Sequence, residues 1–499
     1  MLHFTSLPGR FGIGDLGPCA YEFADFLCDA GQKLWQVLPM NPTGYGDSPY
    51  QCFSAFAGNP LLLSLERLCD QGLLQPQDLA QAPPFPEDFV DYGPVIELKM
   101  EALRRAAQAF FADGSSADRA AFDRFCQNAS PWLDDYALFM ACKDAQNGIT
   151  WTSWDAPIRR REPQAVSEWT RKLAAEVQAY KYWQFEFFRQ WNELKSYCQQ
   201  RGIRFMGDIP IYVAQDSADV WAHPELFYLD DQGLPTVVSG VPPDYFSATG
   251  QLWGNPIYRW DLLAEDGYQW WIDRFRAQLA LFDLVRLDHF RGFEAYWEVP
   301  AGEATAIHGR WVKGPGEDFL AALQAALGDL PIVAENLGVI TPAVEQLRKK
   351  FGLPGMSLLQ FAFGTDAQGS SFRPHNYSRD LVAYTGSHDN DTTVGWWTSS
   401  GAGDSTRTPD EVLKEHGFAR AYLDLHGEAE INWVMIRAVL ASVAGVAIVP
   451  LQDVLGLGSE ARMNLPGTVS GNWKWRLRPG ALTPELSARL RTLVTLFDR

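Results

Sequence analysis

Residues 282–292, FDLVRLDHFRG, decide the fold and the chemistry that we expect of this chain. The first half is a short apolar run interrupted only by Asp283, which is typical of a strand buried between helices. Arg286 and Asp288 follow two positions apart, so an extended chain projects both side chains from one face. A guanidinium next to a carboxylate favours the ionised carboxylate. Alone, the pair is more typical of a structural ion pair, so the neighbouring strands must decide its role.

Length and composition narrow the class of protein. The 499 residues are 46% hydrophobic and 21% charged, which suits one large α/β unit or several ordinary domains. The formal net charge of −19 argues against nucleic acid and anionic membranes as partners, because both require a basic face. We expect neither a signal peptide nor a membrane span. The seven cysteines form no CxxC pair, which predicts free thiols and a cytoplasmic protein.

Apolar runs alternate with helical patterns along much of the chain. Eight such runs predict a (β/α)8 TIM barrel, with a doubly wound sheet as the alternative that no phosphate loop supports. The runs are 33–40 (KLWQVLPM), 59–65 (NPLLLSL), 203–211 (IRFMGDIPI), 282–290 (FDLVRLDHF), 331–338 (PIVAENLG), 355–363 (GMSLLQFAF), 381–391 (LVAYTGSHDND) and 446–456 (VAIVPLQDVLG).

Two insertions are expected within a single catalytic domain of residues 1–499. Residues 66–200 have a helical character, and the aromatics of 167–200 recur at helical spacing, which places them in the core. Residues 213–266 are rich in proline and glycine, which predicts irregular structure covering the active site. This second insertion carries the aromatics Tyr245, Phe246 and Trp253.

Three of the predicted strands end in carboxylates, Asp288, Glu335 and Asp389. In a barrel these strand ends converge on the face where catalytic groups lie. Two carboxyl groups in opposite protonation states suit cleavage of a glycosidic bond. Arg286 marks Asp288 as the ionised member. The apolar run before Glu335 predicts burial, which raises the pKa of a carboxyl as a proton donor requires.

Two alternatives use the same region differently. A metal-dependent hydrolase could draw nitrogen and oxygen ligands from His289, His388, Asp389 and Asp391, although no HxH or HExxH spacing accompanies them. A sugar-binding protein without catalysis would need aromatic planes but not the pair of acids. The 19 tryptophans fit sugar binding, and they also fit a large core.

Several motifs together resemble those of the amylomaltases, 4-α-glucanotransferases of glycoside hydrolase family 77 in the α-amylase clan. The likeness runs from SLPG at 6–9 to MNLPGTVSGNW at 463–473. The motifs between these are GDSPYQCFSAFAGNP, DYFSATGQLWGNP, VRLDHFRG, VAENLG and TGSHDNDT. The resemblance implies retaining transfer of α-1,4-glucan segments from a donor chain to the 4-hydroxyl of an acceptor glucan or glucose. It implies no cofactor, no metal and no C-terminal β-sandwich, and we expect a monomer.

The resemblance also assigns roles to residues. Asp288 attacks the anomeric carbon, Glu335 protonates the leaving oxygen and then acts as base, and Asp389 grips ring hydroxyls. The residues that the resemblance places around the sugars are Arg286, His289 and His388 at the donor site, Gly250, Gln251, Trp253 and Asn255 on the acceptor side, Asn464 on the facing loop, and Tyr50 on a further loop. An α-1,4-glucan hydrolase of the same clan stays open as an alternative, and aromatic loops that exclude water favour transfer.

Overall fold

A computed structural model of the chain describes residues 1–80, 82–243, 247–364, 369–401, 407–426 and 430–499. Its strands are β1 Leu34–Gln36, β2 Arg204–Ile209, β3 Val237–Val241, β4 Gln251–Pro256, β5 Leu284–Leu287, β6 Ala295–Pro300, β7 Arg310–Lys313, β8 Ile332–Ala334, β9 Gly355–Leu358, β10 Leu381–Tyr384 and β11 Val446–Ile448. Its helices are α1 Pro18–Asp29, α2 Leu65–Asp70, α3 Tyr92–Asp113, α4 Ser116–Ala145, α5 Ala156–Arg159, α6 Pro163–Lys172, α7 Ala174–Gln200, α8 Ala218–Ala222, α9 Trp260–Glu265, α10 Gln269–Leu281, α11 Gly316–Leu327, α12 Pro342–Lys350, α13 Thr393–Thr398, α14 Pro409–Tyr422, α15 Ile431–Leu440, α16 Leu451–Leu455 and α17 Pro484–Leu496.

Two parallel sheets hold seven of the strands, in the orders β1-β2-β5-β8 and β11-β10-β9. The amide of Ala334 in β8 donates to the carbonyl of Pro354, just before β9, at 2.8 Å, which brings one edge of each sheet together. The first residues of the chain lie between the other two edge strands, β1 and β11. The amide of Leu2 donates to the carbonyl of Gln36 in β1 at 3.1 Å, and the Met1 carbonyl accepts from Leu451, shortly after β11, at 3.0 Å.

The strand predicted at 59–65 is wrong. Residues Pro60–Leu62 form a 3-10 helix, and Ser64 then caps α2 through the amide of Arg67. The cause is local, since the Asn59 side chain caps this turn by accepting from the amide of Leu61. Proline at the first position of the turn has its φ preset for it and has no N–H to offer a strand partner. An apolar run of this length does not distinguish the two structures by periodicity.

Among the helices between β1 and β2, α7 packs directly on the parallel sheet. On α7 the prediction of core aromatics is confirmed, because Trp183, Phe187 and Trp191 are almost fully buried. The Trp191 ring lies 4.7 Å from that of Phe205 in β2 and 5.5 Å from that of Phe282, just before β5. One apolar cluster therefore joins this helix to the strands that lead to the predicted carboxylates.

The region expected to be irregular contains regular strands. β3 and β4 of residues 213–266 join β6 and β7 in an antiparallel sheet of order β4-β3-β6-β7. The expectation that proline and glycine exclude regular structure here is wrong for 251–256, because Pro256 stands at the end of β4, where a missing N–H is tolerated. A register shift between Val238 and Gly240 absorbs the local irregularity. Tyr245 and Phe246 lie outside the described residues.

Three further observations concern the rest of the chain. Within the described ranges, no helix combines the length and apolarity that crossing a bilayer would take. All seven cysteines are free. Residues 449–499, which are all described, contain α16 and α17 with turns around them and no strand.

Candidate active site

The centre of the site is one guanidinium held between two carboxylates. Asp208 of β2 and Arg286 of β5 are partners in the parallel register, so their side chains meet on one face. Nη1 of Arg286 lies 2.7 Å from Oδ2 of Asp208, and Nη2 lies 2.7 Å from Oδ1 of Asp288. Burial opposes the charged form of Arg286, but the charges of Asp208 and Asp288 outweigh it and raise its pKa. The arginine therefore stays charged and fixes Asp288 in place.

Asp208 is a residue of this cluster that the sequence interpretation missed. Its side chain is fully buried, and burial raises its pKa to about 7 although the charge of Arg286 lowers it. The hydroxyl of Tyr50 donates to Oδ2 of Asp208 at 2.8 Å, so this predicted residue reaches the site through Asp208. A signal was available, because Asp208 lies near the end of a predicted apolar strand, although inside β2 and not after it as Asp288 and Glu335 lie after theirs.

Glu335 follows β8 directly, and its carboxyl group is held by backbone amides. Oε2 accepts from the amide of His289 at 2.9 Å, and Oε1 accepts from the amide of Leu337 at 2.7 Å. Burial raises the pKa of Glu335 to about 7, helped by the charge of Asp288 and opposed by that of Arg286. The carboxyl is thus buried and oriented, and its raised pKa favours the protonated form that a general acid needs.

His289 adopts a left-handed backbone conformation, with φ of 49°, that directs its amide to Glu335. This conformation is uncommon for a residue other than glycine and is often found at functional sites. Its ring meets that of Trp253 edge-on at 4.8 Å between centroids. Burial lowers the pKa of the His289 imidazole to about 3, so the ring is neutral.

Asp389 lies on the loop after β10 and is the more exposed carboxylate, with 44% of its side chain accessible. Nδ2 of Asn464 donates to Oδ1 of Asp389 at 2.6 Å, and a guanidinium N–H of Arg462 donates to its backbone carbonyl at 2.7 Å. Nε2 of His388 lies 3.5 Å from Oδ2. Burial lowers the pKa of His388, whose ring stacks on Tyr50 at 5.2 Å. Two predicted residues, His388 and Asn464, therefore lie next to Asp389, and Tyr50 is connected to it through His388.

The acceptor-side residues divide into two groups. Trp253 contacts His289 and donates from Nε1 to Oε1 of Gln251 at 3.2 Å. Asn255, in contrast, is 5% exposed, and its Nδ2 donates to the carbonyl of Val213 at 2.9 Å. Gly250 forms the turn before β4 with φ of 69°, where a side chain would collide with the Val241 carbonyl. Trp253 and Gln251 are thus near the carboxylates, whereas Asn255 and Gly250 shape the loop.

Of the four residues considered as metal ligands, His388 and Asp389 lie close together, but the four do not form one cluster. Asp391 turns to local partners, since its Oδ2 accepts from the Ser459 hydroxyl at 2.6 Å and its Oδ1 accepts from the amide of Thr392 at 2.8 Å. In the part of the chain that the structure describes, no three His, Cys, Asp or Glu side chains are grouped as metal ligands.

Asn336 follows Glu335 but does not extend the cluster of acids. Its Oδ1 accepts from the amide of Met356 in β9 at 2.7 Å, and its Nδ2 donates to Glu345 of α12 at 2.7 Å. The residue therefore links β8 to the neighbouring sheet and to the following helix. The charges that act on the Glu335 carboxyl group are those of Arg286 and Asp288.

Known proteins resemble the chain over its whole length. The family described as 4-alpha-glucanotransferase, glycoside hydrolase 77, matches residues 2–483. The 4-alpha-glucanotransferase of Thermus thermophilus is 52% identical, with 100% of this chain and 98% of the relative covered. That of Synechocystis sp. is 53% identical, with coverages of 100% and 97%.

A solved structure is similar over the same length. The amylomaltase from Streptococcus agalactiae in complex with acarbose superposes with a TM-score of 0.94 at 38% identity, covering 100% of this chain and 98% of the other. The sequence match and the structural match cover the same residues that build the carboxylate site, and the chain belongs to the 4-alpha-glucanotransferase family.

Proposed function

We propose that the chain transfers α-1,4-glucan segments by a retaining mechanism in which Asp288 is the nucleophile and Glu335 the general acid and base. The observation that carries this assignment is the contrast between the two groups. Asp288 is paired with Arg286 at 2.7 Å, while burial raises the pKa of Glu335 to about 7. One carboxyl group is thus held by a buried cation and the other is available as an acid, as double displacement requires.

The chemical steps follow from these two roles. A carboxylate oxygen of Asp288 bonds to the anomeric carbon as the glycosidic bond breaks, and Glu335 delivers its proton to the departing 4-oxygen. The shortened donor leaves, and the segment remains as a glycosyl ester of Asp288. The 4-hydroxyl of an acceptor then gives its proton to Glu335 and displaces the ester, which restores both carboxyl groups.

The surrounding residues supply binding and orientation. Asp389, half exposed and oriented by Asn464, is placed to accept hydrogen bonds from ring hydroxyls that strengthen as positive charge develops. Arg286, His289, His388 and Tyr50 complete the donor side, and Trp253 with Gln251 forms the acceptor side. For Gly250 and Asn255 the proposed role is to shape the acceptor loop.

The architecture that we propose is a single catalytic (β/α)8 barrel of residues 1–499, in which the first residues of the chain lie between β1 and β11. Residues 66–200 are a helical insertion, and residues 213–266 cover the active site. The hydrogen bonds of Leu2 to β1 and of Met1 to Leu451, shortly after β11, support closure. The substrates are maltooligosaccharides, starch or glycogen, with glucose as a further acceptor, and we propose a cytoplasmic monomer.

Incubation with maltotriose separates transfer from hydrolysis. A transferase yields glucose and a ladder of longer chains without a net increase in reducing ends, whereas a hydrolase increases them. We expect Asp288→Ala to abolish both products, and Asp273→Ala, a change of an exposed carboxylate on α10, to leave them unchanged. Full turnover by Asp288→Ala would refute the carboxylate scheme, and loss of activity in EDTA would favour the metal-dependent alternative.

A further inference from the structure

A tryptophan on the edge strand β7 is unusually accessible for its size. Trp311 is 41% exposed, and the nearby Ile307 and Val339 are 45% and 49% exposed. Single exposed apolar residues are common and need no explanation. What distinguishes Trp311 is that its contacts hold the ring in one orientation while much of it stays accessible.

Two neighbours fix the ring of Trp311. The guanidinium of Arg291 lies 3.7 Å from its centroid, and the Trp297 ring meets it edge-on at 5.2 Å. Trp297 is itself anchored, because its Nε1 donates to the carbonyl of Ala306 at 2.8 Å. Arg291 is 5% exposed, and its Nη1 donates to the carbonyl of Val339. An aromatic ring held in this way can receive a ligand without losing much further conformational entropy.

The same contacts connect Trp311 to the carboxylates. Arg291 lies in the turn after His289, the residue whose amide donates to Glu335. Val339 lies on the loop that follows Glu335. Burial lowers the pKa of the Arg291 guanidinium, and the charges of Glu294 and Glu335 oppose that effect. Trp311 is thus connected through Arg291 to the two loops that flank Glu335, the proposed proton donor.

We propose that Trp311 is an outer acceptor-side subsite that packs against a glucose ring of a long α-1,4-glucan. The C–H face of a pyranose is apolar and matches an accessible aromatic plane. The side of the site follows from Glu335, which serves the leaving group and the acceptor. The inference rests on the proposed function and extends it to chain length, since only acceptors of several glucose units reach this surface.

Substitution of Trp311 tests the subsite. With saturating amylose as donor, transfer is measured to labelled glucose and to labelled maltoheptaose. Trp311→Ala should raise KM for maltoheptaose about five- to ten-fold, and leave KM for glucose and kcat within about two-fold. Trp311→Phe should recover most of the maltoheptaose affinity. Thermal unfolding of each variant shows whether it is folded.

The control is Phe418→Ala on α14. Phe418 is 40% exposed, and the Arg373 guanidinium lies 4.6 Å from the centroid of its ring. It therefore matches Trp311 in exposure and in having an arginine over the ring. Equal changes for both acceptors, no change for either, or the same length dependence in Phe418→Ala would overturn the subsite. If the wild-type protein fails to label any acceptor, the proposed function itself is wrong. Wild-type transfer with an insensitive Trp311→Ala rejects the subsite alone.

Discussion

Arg286 is the residue through which the site acquires its geometry, because a single side chain neutralises Asp208 and orients Asp288. Asp208 is fully buried and has Tyr50 as its second partner. A buried arginine can bind two acids through its separate guanidinium nitrogens, whereas with one acid its whole charge acts on that acid and its direction is less fixed. Asp208 is therefore a positioning residue that acts on Asp288 through the guanidinium.

Asp208→Asn tests this role. The amide keeps the shape and an acceptor for Tyr50 but removes the negative charge, so Arg286 should shift toward Asp288 and weaken it as a nucleophile. We expect kcat/KM to fall about 100-fold, roughly 2.7 kcal/mol of transition-state stabilisation, with little change in KM. Asp219→Asn is the matched control, because Asp219 is also a buried acid with a raised pKa. An equal loss in both variants would show a general effect of burial.

The raised pKa of Glu335 predicts the pH dependence of activity. Since the proton donor must be protonated, kcat/KM should decline as pH rises above about 7. Asp208 titrates in the same range, so the alkaline limb of the pH profile, where kcat/KM declines, reports the two interacting groups together. The limb is measured with maltotriose in buffers of constant ionic strength. A flat profile from pH 6 to 9 would contradict the assignment of Glu335 as acid.

Stability should change with pH in the corresponding direction. A carboxyl whose pKa is raised from 4.5 to about 7 on folding contributes stability that is complete below about 4.5 and lost as pH rises through about 7. Glu335→Gln removes this loss, so its Tm should exceed that of the wild type increasingly between pH 5 and 8. Glu485→Gln, a change of an exposed acid on α17, should show no such trend.

At the scale of elements, the sequence predicts those strands and helices that have a continuous pattern of apolar residues. β5, β8 and β10 each lie within a predicted run and precede a selected carboxylate. The 3-10 turn at 60–62 was missed because the hydrogen bond to the Asn59 cap favours it over a strand. The periodicity of apolar residues does not reveal such a cap. β4 was missed because its Pro256 is harmless only at a strand end, which requires knowing the partner. The pairing of Asp208 with Arg286 could not be predicted either, because it depends on the register between β2 and β5.

Helix α3 is attached to the opening loop and to the turn at 60–62 by one buried lysine. Lys99 is inaccessible, and its Nζ donates to Oδ2 of Asp15 and to the carbonyl of Leu61, both at 2.8 Å. Burial raises the pKa of Asp15 to about 6, against the lowering effect of Lys99. The attachment therefore depends on a charge pair that water does not reach.

Lys99→Met should break this attachment and leave an acid buried without its counter-charge. We expect a loss of about 3–5 kcal/mol in the free energy of unfolding in urea. Without Lys99 the pKa of Asp15 rises further, so the loss should increase as pH rises above about 6. Adding Asp15→Asn should restore part of the stability, and Lys349→Met on the surface of α12 should cost little. A deficit that is independent of pH would point to lost packing instead.

At the scale of the whole molecule, one apolar cluster extends from Leu2 to Leu490 and includes residues of the helical region and of the parallel sheet. The placement of Met1 and Leu2 between β1 and β11 belongs to this scale too. It could not be predicted from the sequence, because two residues show no period and their partners are distant in the chain. The helical region, in contrast, was recognisable from the spacing of aromatics such as Trp191.

Trp191 therefore tests whether the helical region and the sheet unfold together. The residue is fully buried on α7, its ring contacts Phe205 and Phe282, and its Nε1 donates to the carbonyl of Leu281 at 3.2 Å. Truncation removes a large core side chain and leaves that carbonyl without its donor, which should cost about 3–5 kcal/mol.

Because the lost contacts belong to both regions, Trp191→Ala should lower the temperature of the single calorimetric unfolding transition. The transition should not split into two. Trp169→Ala on α6, where the side chain is only partly buried, should lower it less. The equality of calorimetric and van't Hoff enthalpies, measured for the wild type and both variants, decides the outcome. A separate transition at lower temperature in Trp191→Ala would mean that α7 and its neighbours unfold as a unit of their own, and that the shared core does not couple them to the strands that carry the carboxylates.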